Sequence, residues 1–177
     1  MTEQEKENSN QLVEVAIIFG ITIIALALIA NHFMLGNEEV EYTGNASEFT
    51  LTDTEGNTFS LSDYQGEIVV LDLMGTLCPP CQQEVLHLKE VKENFGNEVK
   101  ILSISVAAYD TNQTLSSFKE EENCDWRFAI DTDNVIKKYN VQAIPKIVII
   151  GKNGNVKFTH TGLTYSSTLI ENINGFI

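Results

Sequence analysis

Residues 68–86 read Ile68-Val69-Val70-Leu71-Asp72-Leu73-Met74-Gly75-Thr76-Leu77-Cys78-Pro79-Pro80-Cys81-Gln82-Gln83-Glu84-Val85-Leu86. An apolar run leads in, two cysteines enclose two prolines, and a segment of helical period leads out. Near-continuous apolarity before the motif is what a strand covered on both faces requires. Beyond it, Val85, Leu88, Val91 and Phe95 recur at spacings of three and four, and Gly96 supplies a stop. The tetrapeptide Cys78-Pro79-Pro80-Cys81 therefore falls where a buried strand turns into a helix. Two thiols so spaced can cycle between dithiol and disulfide. The spacing alone is a weak signal; the strand before it and the helix after it make it a redox motif.

Outward from this centre the chain alternates strand and helix patterns. Glu48-Phe49-Thr50-Leu51-Thr52 and Thr58-Phe59-Ser60-Leu61 alternate polar with apolar around Glu55-Gly56-Asn57, which predicts a β-hairpin. Residues 99–106 form a second apolar strand. Residues 112–121 read as a helix with Leu115 and Phe118 inward, and Phe128-Ala129-Ile130 as a short strand. Residues 131–139 predict a helix capped by Asp131 or Thr132. Residues 146–150 are a third apolar strand. An Asn153-Gly154 turn then leads to 156–159, and residues 164–173 form a terminal helix. Parallel βαβ units followed by an antiparallel pair give an α/β fold: a mixed central sheet with helices on both faces and an N-terminal β-hairpin.

The N-terminal part has a different composition. Residues 15–30 carry no charge, and the apolar stretch 12–35 is long enough to span a bilayer, which takes roughly 20 residues. Glu14 lies near its end, within reach of the interface. A cleaved signal peptide would need a basic leader and a small-x-small site. Here residues 1–11 are net acidic (Glu3, Glu5, Lys6, Glu7), and Leu28-Ile29-Ala30 makes a poor site. The expected organisation is a cytoplasmic tail at 1–11, a single transmembrane helix at 12–35, a polar linker at 36–46 and one domain at 47–177. Lys6 is the one basic residue before Lys89, which favours an N-terminus in the cytoplasm and a domain outside the cell membrane. With 25 acidic and 11 basic residues the 177-residue chain has a formal charge of −14, which argues against nucleic acid or anionic lipid headgroups as partners. Hydrophobic residues make up 43%, enough to fill a core, and three cysteines are too few for a disulfide-stapled secreted fold.

Attack on a disulfide needs a thiolate, and a free cysteine near pKa ~8.5 is mostly protonated at neutral pH. A helix N-terminus favours the anion. With Cys78 as the cap, Pro79 and Pro80 take the first two helical positions, where prolines are tolerated because those amides lack helical partners. The nearest backbone donor left for the Cys78 sulfur is then the Cys81 amide. Cys78 is the expected exposed nucleophile and Cys81, one turn in, the resolving thiol. Asp72 is the one charge in the apolar run. A carboxyl buried there acquires a raised pKa and suits proton transfer with Cys81; alternatively it reaches solvent at a strand edge. Ile144-Pro145 precedes the third strand. A cis bond there would turn the Ile144 backbone outward to pair with an extended substrate, although most X-Pro bonds are trans.

From about Glu48 onward the chain resembles the thioredoxin superfamily, and within it the membrane-anchored TlpA/ResA-type thiol-disulfide oxidoreductases. The residues that carry the resemblance are Val69-Val70-Leu71-Asp72, Cys78-Pro79-Pro80-Cys81, and Val141-Gln142-Ala143-Ile144-Pro145 followed by a strand and Lys152-Asn153-Gly154. The resemblance implies that Pro145 is cis and faces Cys78, and that Asp72 lies beneath Cys81. It implies protein disulfide or dithiol substrates, among them haem-attachment cysteines in cytochrome c biogenesis. It also implies a reductant's role, a membrane-embedded electron donor and no cofactor. Two positions depart from the family: Leu77 stands where Trp usually precedes the first cysteine, and Met74 where an aromatic is common.

Other residues read more plainly. Glu84 is expected to be solvated, His87 at the surface, His160 a strand residue without catalytic role, Trp126 in the core or at its rim, and Cys124 a small semi-buried residue. Two alternatives share the fold class. A peroxiredoxin-like peroxidase needs Thr three residues before its reactive cysteine, where this chain has Gly75. A Sco-type copper-binding module has three residues between its cysteines and a distal His, where this chain has two residues and a poorly placed His160. A zinc site needs about four ligands, and no second pair of cysteines or histidines supplies them.

Overall fold

The computed structural model describes residues 44–175 together with Gly20 and Thr22. The expected tail, transmembrane anchor and linker fall almost wholly outside the described residues. Among the described residues no helix is long and apolar enough to cross a membrane. Within the unit Glu41–Ile177 the chain runs β1 (Thr50–Thr52), β2 (Thr58–Ser60), β3 (Ile68–Met74), α1 (Pro79–Phe95), β4 (Val99–Ser105), α2 (Asn112–Glu121), β5 (Arg127–Ile130), α3 (Val135–Lys138), β6 (Lys146–Ile150), β7 (Val156–Thr161) and α4 (Ser166–Asn174). A short 3-10 turn, Leu61–Tyr64, follows the hairpin.

The main sheet has the order β5-β4-β3-β6-β7. β3 pairs in parallel with β4, and β4 with β5; β6 pairs antiparallel with β3 and β7 with β6. This is the mixed thioredoxin-like sheet. All seven residues of β3 are buried, because the strand is central and covered on both faces. Side chains alternate across it. Ile68, Val70 and Met74 pack with Val85, Leu88 and Val91 of α1, Leu115 of α2 and Leu169 of α4. Val69, Leu71 and Leu73 pack on the other face with Phe49, Leu51 and Phe59 of the hairpin and with Val135 and Tyr139. The same alternation puts Asp72 on the face of α1, with Ser103 opposite it in β4 and Ile147 in β6. A fully buried aliphatic side chain in these layers contributes about 1.5–3 kcal/mol, so the two clusters hold the sheet rigid beneath the motif.

The hairpin is a separate two-stranded ribbon, tied to the main sheet by the Asp53–Ala129 bridge. α3 differs from its expected span. It starts at Val135, with Asn134 at the cap in a left-handed conformation and no side-chain cap bond. Asp131 instead reaches forward, its carboxylate accepting from the Val135 and Ile136 amides at 2.8 and 2.9 Å. It satisfies the helix's free N–H groups from outside the helix, so residues 131–134 form a loop around one carboxylate. The terminal helix begins at Ser166, not at 164, because Tyr165 is extended at its N-cap, and the Thr164 amide before it donates to Glu84.

Candidate active site

β3 ends at Met74 and the chain turns through Gly75-Thr76-Leu77 into α1. Asp110 fixes this turn: it accepts from the Thr76 amide at 3.0 Å, from the Thr76 hydroxyl, and from Ser105 Oγ at 2.6 Å. Gln82 Nε2 donates to Thr76 O at 2.8 Å, and the Cys78 amide donates to Gly75 O at 3.2 Å. Cys78 is the N-cap of α1, with Pro79 and Pro80 in the first two helical positions. Its Sγ accepts from the Cys81 amide at 3.3 Å, the one backbone donor the two prolines leave within reach.

Cys78 and Cys81 are joined in a disulfide. Cys78 is half-buried, while Cys81 has no exposed surface. One sulfur can therefore be reached from solution and the other cannot. The seventeen residues of α1 aim a dipole equivalent to about half a positive charge at the Cys78 end. Cys78 Sγ also lies 3.8 Å from Ile144 O, and the Ile144–Pro145 bond is cis. Ile144 is half-buried beside the sulfur and Pro145 is buried. The pair Cys78 and Cys81 and the pair Ile144 and Pro145, more than sixty residues apart in sequence, thus share one place.

Asp72 lies on the α1 side of β3 with no exposed surface, which settles its position against the strand-edge alternative. Its Oδ2 accepts from Ser103 Oγ at 2.8 Å, and Trp126 Nε1 donates to the same Ser103 oxygen at 3.0 Å. Oδ1 has no partner. Burial pushes the Asp72 pKa up to about 7, the Ser103 bond opposing it. A carboxylate there gives up its water shell for one hydrogen bond, so the protonated form is favoured well above the usual carboxylate range.

Glu84 departs most from its sequence reading. It has no exposed surface, and its Oε2 accepts from the Thr164 amide at 2.8 Å while Oε1 is unpartnered. Burial drives its pKa up to about 8, the Thr164 bond opposing and the Asp72 charge adding. The spacing held the signal: Cys81, Glu84, Leu88, Val91 and Phe95 step by three and four along one helix face. A charged side chain in the middle of that stripe has to be buried with it. Two carboxyl groups, Asp72 from the sheet and Glu84 from the helix, therefore lie in the same interior.

The remaining candidates sit apart from this chemistry. Cys124 is buried and its pKa is pushed up to about 12, mainly by burial, so it stays a thiol at neutral pH. Trp126 is buried and stacks on Phe128. His87 is half-buried, its ring edge-on to Tyr165, which corrects the surface expectation. His160 is on β7 opposite Ile147 and stacked on Phe158. Among the described residues no three His, Cys, Asp or Glu side chains are grouped to hold a metal ion.

Comparison with known proteins agrees with this geometry. The AhpC/TSA family matches residues 43–159. Thiol-disulfide oxidoreductase ResA of Geobacillus kaustophilus is 32% identical over 148 residues, covering 80% of this chain and 84% of the relative. ResA of Bacillus subtilis is 28% identical over 148 residues, covering 82% of each. Among solved structures, a thiol:disulfide interchange protein of the thioredoxin family from Chlorobium tepidum superposes with a TM-score of 0.68 at 18% identity, over 76% of this chain and 96% of its own. StoA from Bacillus subtilis superposes with a TM-score of 0.62 at 20% identity, over 72% and 97%. The chain belongs to the AhpC/TSA family and is a thioredoxin-like thiol-disulfide oxidoreductase.

Proposed function

We propose that this oxidoreductase is tethered to the cell membrane by residues 12–35 and reduces disulfides in proteins outside the cytoplasm through Cys78-Pro79-Pro80-Cys81. The observation that carries the chemistry is the unequal exposure of the two sulfurs at the start of α1. In the reduced enzyme the Cys78 thiolate attacks one sulfur of a substrate disulfide. A mixed disulfide forms, and the other substrate sulfur leaves as a thiolate that takes a proton from solvent. Cys81 then passes its proton to the Asp72 carboxylate, and its sulfur attacks Cys78 Sγ. The second substrate thiolate is released and the Cys78–Cys81 disulfide closes. Two electrons have moved to the substrate, and a membrane-embedded donor restores the dithiol. Ile144, on the rim beside Cys78, offers its backbone to the extended substrate, with Pro145 fixing that backbone. The names of the ResA relatives support thiol-disulfide exchange, and apocytochrome haem-attachment cysteines are the substrates this reading favours.

The peroxidase alternative finds Gly75 where its threonine should be. The experiment that decides direction is the reduction potential of the Cys78–Cys81 couple, read by equilibration of the full chain with glutathione buffers. A reductant gives a value near that of thioredoxin, about −270 mV; a value near −120 mV, as in an oxidant, overturns the direction of flux. The same preparation reports on tethering. Retention in the membrane pellet after alkaline extraction supports the anchor, and release to the supernatant contradicts it.

A further inference from the structure

Gly75 is crowded although its backbone needs no glycine. It is absent from the residues with positive φ, yet a Cβ placed on it would lie 2.5 Å from Tyr109 Oη, 2.8 Å from Ala107 Cβ and 3.2 Å from Ile144 Cδ1. A methyl group there would have to displace both the hydroxyl end of Tyr109 and the Cβ of Ala107, and of these only the tyrosine end is flexible. Position 75 is thus kept bare so that Tyr109 and Ala107 can both close on the turn before the motif. The hydroxyl end of Tyr109 lies near the Leu77 backbone. The rest of Tyr109 faces outward: it is 50% exposed, and Leu77 is 73% exposed. Pro79 and Pro80 are exposed as well. Large apolar side chains left uncovered together mark a contact surface more often than chance exposure.

That surface borders the accessible sulfur. Leu77 immediately precedes Cys78, and Ile144, whose Cδ1 closes on Gly75 as Tyr109 does, carries the carbonyl 3.8 Å from Cys78 Sγ. A substrate cysteine bonded to Cys78 brings its neighbouring residues over Leu77 and Tyr109. We propose that Tyr109, seated on Gly75, determines substrate specificity by docking an apolar side chain next to the reactive cysteine of an extended polypeptide. The proposal rests on the exchange mechanism above and adds a preference among its substrates. The occupant is a cysteine-flanking segment of the substrate. Tyrosine suits such a site because it offers a large contact area with few rotatable bonds to immobilise.

The test uses two synthetic peptides, each closed by one intramolecular disulfide and identical except for Leu or Ser beside the first cysteine. The full chain reduces them with dithiothreitol as the electron source. The enzyme dithiol gives two electrons to the peptide disulfide, and dithiothreitol is oxidised in turn. The readout is the ratio of kcat/KM for the two peptides, in which a general loss of activity cancels. Wild type should favour the Leu peptide by about tenfold, the scale of a modest apolar contact. Tyr109→Ala should bring the ratio to about one, and Gly75→Ala, which crowds both the Tyr109 ring and Ala107, should lower it as well. Tyr109→Phe keeps the ring and should keep most of the preference. If Gly75→Ala fails to fold, Tyr109→Ala decides. A wild-type ratio of one, or a full preference surviving in Tyr109→Ala, overturns the docking proposal and leaves the exchange chemistry standing. Exchange with neither peptide overturns both.

Discussion

Cys81→Ser is expected to stop the reaction at the mixed disulfide. In this variant Cys78 still sits at the start of α1 and still faces the Ile144 carbonyl, so capture of a substrate cysteine proceeds. No second sulfur is left to release it. Steady-state turnover should fall by a factor on the order of 10³ or more, as it does when one member of a catalytic unit is removed. A covalent adduct sensitive to dithiothreitol should accumulate, visible as a mass shift on non-reducing gels. Cys78→Ser should lose the same turnover and give no adduct, because Cys81 has no exposed surface from which to attack. Equal adduct formation by the two variants would contradict the assignment of nucleophile and resolving thiol. Identifying the captured proteins from Cys81→Ser would also name the substrates.

Asp72→Asn should change both chemistry and stability. Asparagine is nearly isosteric and can still accept from Ser103 through its carbonyl oxygen, but it cannot take the Cys81 proton. Loss of a positioned proton acceptor slows a step by about 10²-fold, and the slowed step should be resolution of the mixed disulfide, not its formation. The stability effect has the opposite sign. Asp72 binds its proton up to about pH 7 in the folded chain, against an ordinary value of 3.8. The folded state therefore holds more protons than the unfolded one between those values. This contribution to stability is fully present below about pH 4 and is lost as pH rises towards 7. At about 1.4 kcal/mol per pH unit, the loss approaches about 4 kcal/mol as a ceiling. Urea denaturation of Asp72→Asn should then show a stabilisation of a few kcal/mol at pH 8 that shrinks to near zero at pH 4. Glu84 on α1 and the Cys124 thiol share this interior, and Glu84, raised to about 8, loses stability in the same direction at higher pH. A variant no more stable than wild type at pH 8 would show that the buried charge costs nothing there.

Local patterns made much of this fold readable, and long-range packing hid the rest. β3 announces itself through uninterrupted apolarity, α1 through a three-four stripe and α2 through Leu115 and Phe118 three apart, because each buries a regular face against the sheet. The motif itself needs only neighbours in sequence: a cap, two prolines and the Cys81 amide. The alternation along β3 even fixes which face Asp72 joins once the helix is known to cover it. What failed was local in a different way. Asp131 looked like a cap and does bond helix amides, but from four residues away, so α3 begins later than the capping rule suggests. The charge of Glu84 points to solvent, while its place in the stripe requires burial. Tyr109 left no periodic trace at all. It sits in a loop, and its role depends on the missing side chain of Gly75, thirty-four residues earlier; no spacing rule connects the two. For the proposed N-terminal span there is composition alone, an apolar run long enough for a bilayer.

The proposed reaction depends on Cys78 being an anion at neutral pH in the reduced enzyme, favoured by the start of α1 and by the Cys81 amide. The most direct measurement is the rate of Cys78 alkylation by iodoacetamide as a function of pH, with mass spectrometry to confirm the site. Half-maximal reactivity near pH 7 or below, at least a unit under the ordinary thiol value of about 8.5, is the expected result. Half-maximal reactivity at about 8.5 or higher, as in an unfolded peptide, would contradict it and leave the fold without its chemistry.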